Sequence, residues 1–232
     1  MRNQFLSRIY YFEDEGRQNL SRVLNTIKKA VDRRPDLKTH KLVVFTAMGE
    51  GPALAFNKFK EHDLKIIAVT FPSGFSVTKT TEDGTNIEST PTISEKLRRF
   101  FAGVGIPVLT GSLPFDDIGG VPPVNQHMKL IRDTLSLFGG GFSLCVQAVI
   151  QACDMGVVDV GERVIVMSGD CAAIMTASNR AKFLSKEDGL SINEILCKPR
   201  TLGLTRTPRK EAEKVVSGDL FEEKRAKLLP PV

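Results

Sequence analysis

Apolar positions along the chain recur with two different periods. Leu20, Val23, Leu24, Ile27 and Val31 fall three and four apart, which predicts an amphipathic helix over 17–32. The run Asp32-Arg33-Arg34-Pro35-Asp36 ends it. LVVFT (42–46) is continuously apolar and rich in β-branched residues, as in a strand buried on both faces. A glycine-bearing turn follows. Pro52 is then well placed in the first turn of a helix, where its missing N–H costs nothing, so 52–60 reads as helical. IIAVT (66–70) is a second buried strand. The polar, Thr- and Gly-rich stretch 71–91 reads as a long functional loop.

Further on, 94–102 reads as a helix and PVLT (107–110) as a third strand. Met128, Ile131, Leu135 and Phe138 give 124–138 a helical period that Gly139-Gly140-Gly141 breaks. The apolar 143–155 is a buried helix capped by Gly156. RVIVMS (163–168) and AIMTAS (173–178) flank the tight turn at Gly169-Asp170 and form an antiparallel hairpin. Ser191 and Glu194 are spaced as a capping box, so 191–197 reads as a short helix.

Strands alternating with helices imply βαβ units. The predicted architecture is therefore α/β, a three-layer α/β/α sandwich on a mostly parallel mixed sheet with one late antiparallel strand. The 232 residues suffice for one domain with a sizeable core. Composition turns charged and polar after Lys198-Pro199-Arg200, which predicts one domain over 1–200 and a charged extension over 201–232. That extension suits packing on a second subunit of a homo-oligomer, or a free tail.

Charge adds little to this picture. Of the net +5, the segment from Arg200 onward carries +3. Basic residues are interleaved with acids and few aromatics lie among them, so solvated helix faces explain the pattern better than nucleic-acid binding. No apolar run approaches the roughly 18 residues of a membrane span. The first eleven residues lack the apolar core of a signal peptide. Cys145, Cys153, Cys171 and Cys197 have neither zinc-ligand nor disulfide-framework spacing. A reducing, cytoplasmic setting fits.

Candidate chemistry gathers at the predicted strand ends. Thr46-Ala47-Met48-Gly49-Glu50-Gly51 joins a strand to a helix N-terminus, where free N–H groups and the positive dipole end favour phosphate. It is neither a Walker loop nor G-x-G-x-x-G, and Glu50 must point away from an anion. Phe71-Pro72-Ser73-Gly74-Phe75, Thr110-Gly111-Ser112 and Ser168-Gly169-Asp170 follow three other strands. In open α/β sheets the ligand crevice lies outside these carboxyl ends, although glycines there also serve plain turns. Phe71, Phe75 and Phe115 suit either ring stacking or the core. No catalytic set is legible. His40 and His62 read as solvated, His127 as an acid–base candidate, Asp116-Asp117 as a solvated turn, and Cys171 as an exposed thiol.

The ordered set Tyr11-Phe12-Glu13, LVVFTAMGEGPAL (42–54), IIAVTFPSGF (66–75), VLTGSLPF (108–115), DTLSLFGGG (133–141), QAVIQACDMGVV (147–158), VIVMSGD (164–170) and EILCKPR (194–200) resembles the uncharacterised pyruvate kinase C-terminal-domain-like family, best known from archaea. The resemblance implies an α/β/α sandwich whose last strand is antiparallel. It also implies flavin mononucleotide (FMN) as ligand, with Thr46, Ala47, Met48, Gly49 and Gly51 around its phosphate. Phe71, Ser73, Gly74 and Phe75 would lie near the flavin, and Thr110, Gly111 and Ser168 to Asp170 around it. Several positions depart from the family pattern. Met48-Gly49-Glu50-Gly51 replaces a loop with an extra hydroxyl, a loss of about 1.5–3 kcal/mol of phosphate binding. Phe71-Pro72 replaces two histidines, and Gln147 an acid. The expected function is binding of FMN or another phosphorylated small molecule. The alternatives are a sugar-phosphate or nucleotide sensor and a structural protein with a degenerate site. Gly49→Val is expected to remove binding and keep the fold.

Overall fold

The computed structural model describes residues 7–37, 40–80, 86–116 and 126–206. Seven strands form one sheet: β1 (Tyr10–Phe12), β2 (Lys41–Phe45), β3 (Lys65–Thr70), β6 (Val108–Thr110), β7 (Arg163–Met167), β8 (Ala172–Thr176) and β9 (Ser191–Pro199). Their order is β1-β9-β8-β7-β2-β3-β6. Only β8 runs antiparallel to its neighbours. A separate hairpin pairs β4 (Val77–Thr80) with β5 (Asn86–Ser89).

Two apolar clusters sandwich the sheet. On one face α1 (Leu20–Arg33), α2 (Glu50–Lys58) and α3 (Glu95–Gly103) cover Leu42, Val44, Ala68, Ile165 and Met167. On the other, α4 (Gln126–Leu135) and α5 (Gly140–Asp154) cover Val43, Phe45, Ile67, Val69, Val164 and Val166. Alternate residues of β2, β3 and β7 thus enter opposite clusters, as a sheet covered on both faces requires. The helix periodicity of α1 places Val23, Ile27 and Val31 fully inside. α5 is buried nearly all round, including Gln147 and Gln151.

Several expectations are corrected. The segment 191–197 is part of strand β9, not a capped helix. β8 is buried and offers unpaired N–H and C=O groups on its outer side, and β9 supplies their partners. Two register shifts in that pairing, between Ala172 and Ala173 and between Ile174 and Met175, break the period-two alternation. Consecutive Leu196 and Cys197 therefore join the same cluster, which imitates helical spacing. The antiparallel strand is β8, and one more strand follows it. β1 was not foreseen; it pairs in parallel with β9, Tyr10 opposite Cys197. The stretch 71–91 holds the β4–β5 hairpin rather than a structureless loop. α2 begins at Glu50, so Pro52 is its third residue, still within the first turn, and α5 begins at Gly140, inside the glycine run.

The chain remains attached beyond the expected boundary at 200. The Thr201 N–H donates to Glu13 O at 3.0 Å, and Thr205 bonds to Glu15. Residues 207–232 lie outside the described residues, as do Asp117 and Gly119-Gly120.

Gly51 marks where α2 meets the sheet. A Cβ there would lie 2.8 Å from Val44 Cγ1. Gly51→Ala is expected to destabilise the protein by about 1–3 kcal/mol through overpacking. In the double variant with Val44→Ala, the two losses should sum to less than additive, as urea unfolding of all four proteins would measure.

Candidate functional site

β2 is the sheet's switch point. From it the chain goes by α2, on one face, to β3, while β7 on its other side is reached by α5 on the opposite face. The loops after β2 and β7 therefore part, and a crevice opens outside the carboxyl ends. A cleft of about 270 Å³ lies there, lined by the ends of β2, β3 and β7, the first turns of α2 and α5, and Gly16, Arg17 and Leu20.

The predicted residues divide between this cleft and its surroundings. Thr46, Ala47, Gly51, Phe71, Ser168, Gly169 and Asp170 line it. Met48 and Gly49 do not. Gly49 is the N-cap of α2 at φ 95°, and its N–H donates to Thr46 Oγ1 at 2.9 Å. A Cβ on Gly49 would meet Leu97 and Ile93 at 3.0 and 3.2 Å. Its glycine is thus required by the turn and by packing on α3. The expectation that Gly49→Val spares the fold is corrected accordingly.

Ser73 and Gly74 form the exposed tip of a turn closed by Phe75 N–H donating to Pro72 O, outside the cleft. Phe75 stacks on Phe71 at 4.5 Å, nearly parallel, and Phe45 meets Phe71 edge-on at 5.1 Å. Thr110 and Gly111 also stand apart, with Gly111 against the Gln151 amide of α5. The amide of Gln151 and the hydroxyls of Thr70 and Thr110 are buried with no hydrogen-bond partner among the described residues.

The other candidates are resolved by burial. Phe115 is a core residue, 1% exposed and packed on Phe183. Cys171 is fully buried, and burial drives its thiol far above the usual range, so it is not the exposed thiol the sequence suggested. Cys145 is raised in the same way, and Cys197 is pushed up to about 12, largely by burial. His62 is not solvated: its ring lies against Phe59 and bonds to Asp32 at 3.0 Å. His127 is exposed, and Asp116 pairs with Arg132. No group of three or more His, Cys, Asp or Glu among the described residues could hold a metal ion.

Of the charged residues at and behind the cleft, Arg17 and Glu15 were not foreseen from the sequence, whereas Glu50 and Asp170 were. Arg17 Nη1 lies 3.9 Å from Glu50 Oε1, and both line it. Behind them two buried carboxylates bind backbone from distant segments. Glu15 Oε1 accepts from Gly140 N–H at the N-terminus of α5, and Oε2 accepts from Thr205 N–H at 2.7 Å. The Thr205 hydroxyl donates to Glu15 Oε1 and accepts from the Gly140 N–H. Asp170 Oδ2 accepts from Gly16 N–H at 2.7 Å, and Ser168 lies 3.4 Å from Oδ1. Glu15 thus satisfies an orphan donor at the N-terminus of α5, whose N-cap is a glycine without a side-chain cap, and Asp170 satisfies the Gly16 N–H at the turn that leads into α1. Local spacing cannot reveal such bonds, because Glu15 and Thr205 are 190 residues apart.

Burial raises the Asp170 carboxyl above its ordinary value, the Gly16 N–H opposes this, and the nearby Glu15 charge adds to it. The folded protein therefore holds this proton where the unfolded chain has released it. Stability falls as pH rises from the unfolded value, about 3.9, through the raised folded value. Asp170→Asn keeps an acceptor for Gly16 and removes the titration. Across that interval the variant should gain stability relative to wild type, in urea unfolding at stepped pH. Gly49→Val should be destabilised by at least about 1–2 kcal/mol, the cost of a side chain in the left-handed region, as its unfolding midpoint would report. No family model matches this chain.

Proposed function

We infer that the protein binds a phosphorylated small molecule, FMN or a compound like it, in the cleft at the carboxyl edge of the sheet. The observation that carries this reading is the cleft's position at the switch point between β2 and β7, beside a helix N-terminus with no side-chain cap. A phosphate would sit against the backbone of Ala47, Glu50 and Gly51 with Thr46 beneath it. Glu50 has the wrong charge for an anion, and Arg17 at 3.9 Å offsets it. Phe71, braced by Phe45 and Phe75, offers a rigid aromatic wall to a planar ring. When bound, FMN would supply redox chemistry, and the chain would supply orientation.

The same reading includes membership of the pyruvate kinase C-terminal-domain-like family. It is supported by the strand–loop–helix order of the ordered motifs and by the late antiparallel strand β8. A second reading, a sensor of sugar phosphates or nucleotides, is favoured by one observation. The cleft's roughly 270 Å³ falls just under the usual range for ligand pockets, about 300–1,000 Å³, which suits a compact ligand.

Absorbance of the purified protein, before and after loading with FMN and desalting, tests the first reading. Retained flavin colour, lost on Thr46→Val, is the expected outcome. A colourless protein whose melting temperature rises with a sugar phosphate and not with FMN would instead select the second.

A further inference from the structure

A second cleft lies at the β1 side of the sheet, with no lining residue in common with the site above. It occupies about 500 Å³ between α1, the start of β1 and the middle of β9. Four cationic side chains line it: Arg8 from the segment before β1, Lys29 and Arg33 from the last two turns of α1, and Arg34 just after it. Glu194 of β9 is the one acid lining it. That acid is already engaged, accepting from Arg34 Nη1 and from the Ser7 hydroxyl, each at 2.5 Å.

The other three cations have no acid to answer them in the cleft. Arg8, Lys29 and Arg33 form no ion pair among the described residues, and all three are exposed. Lys29 Nζ stands 5.3 Å over the ring of Tyr10. Nearby acids are held elsewhere: Asp32 by Lys28 and His62, and Asp36 by Arg163. A helix C-terminus favours one cation in its last turn, which accounts for Arg33. It does not account for Arg8, which comes from a different segment, or for Lys29, a turn earlier. Cations gathered in a concave, low-dielectric wall focus their field on its mouth.

We propose that this cleft is a second ligand site, for a compact phosphate-type anion carrying two or more charges. The guanidinium forks of Arg8 and Arg33 match phosphate oxygens in pairs, and Lys29 adds a point charge. The volume lies within the range of small-molecule pockets, about 300–1,000 Å³. Arg34, fixed by Glu194, holds the floor of the cleft and leaves the other three to the ligand. The site does not depend on the carboxyl-edge cleft, with which it shares no lining residue.

Calorimetric titration of the full chain with inorganic pyrophosphate, at low and at physiological ionic strength, tests this. Wild type should bind, and more weakly as salt rises. The double variant Lys29→Gln/Arg33→Gln should lose about tenfold or more in affinity, and Arg8→Gln a smaller factor. Lys186→Gln, an exposed cation outside the cleft, should bind as wild type does. All these side chains are exposed, and unchanged circular dichroism and melting temperature without ligand would verify the fold. Absence of binding by wild type overturns the proposal, as does binding that the double variant retains. Tighter, Lys29- and Arg33-dependent binding of a single-stranded RNA oligonucleotide than of pyrophosphate would also overturn it, in favour of a nucleic-acid surface.

Discussion

Every backbone donor and acceptor of a buried strand must find a partner on both sides. β2 meets this with parallel strands on both flanks, β3 and β7. Parallel neighbours cannot be joined by tight turns, so the chain must cross over. It crosses one face to reach β3 and the other to reach β7. The two apolar layers, the divergence of loops at the carboxyl edge and the cleft between them follow from that one requirement. The same requirement, applied to β8, brings in β9, and β9 in turn holds β1.

Buried charge then fixes what the sheet leaves loose. Glu15 and Asp170 tie the segment before α1, the start of α5, the β7–β8 turn and Thr205 into one junction. A buried carboxylate is costly unless hydrogen-bonded, and here backbone N–H groups supply the bonds. The two edges of the sheet differ in electrostatic character as a result. At the carboxyl edge acids outnumber the single arginine lining the cleft, and an anion must rely on backbone N–H groups. In the cleft beside β1 three cations stand without acidic partners among the described residues, and side chains would do the binding. α1 spans both, with Leu20 in one cleft and Arg33 in the other. Among the described residues no helix is long and apolar enough to cross a membrane.

Much of the fold was legible wherever the apolar period was regular. α1, β2, β3, α3, β7 and β8 lie within a few residues of their predicted spans. β9 was not legible because its bulges disrupt alternation and imitate helical spacing. The hairpin at 77–89 was not, because polar alternation with Thr and Gly reads equally as loop. Of the candidate site, Thr46, Ala47, Gly51, Phe71 and Ser168 to Asp170 meet in one cleft because all follow strands that are neighbours in the sheet. Thr110 ends and Gly111 follows the edge strand β6, two positions from β2, and both stay outside. Arg17 and Glu15 carried no signal, since their partners are distant in sequence.

The sequence by itself determined the α/β class, the burial of β2, β3, β7 and α5, and the glycine turn before α2. Each depends on local periodicity or on one residue's backbone freedom, which a chain carries wherever it folds. Tertiary structure alone decided that 191–199 is a strand, that Cys171 is sealed in the core, and that Glu15 meets Gly140 and Thr205. It alone gathered Arg8 with Lys29 and Arg33. Hydrogen-bond satisfaction and charge proximity act through space, so they exist only once the strands have paired.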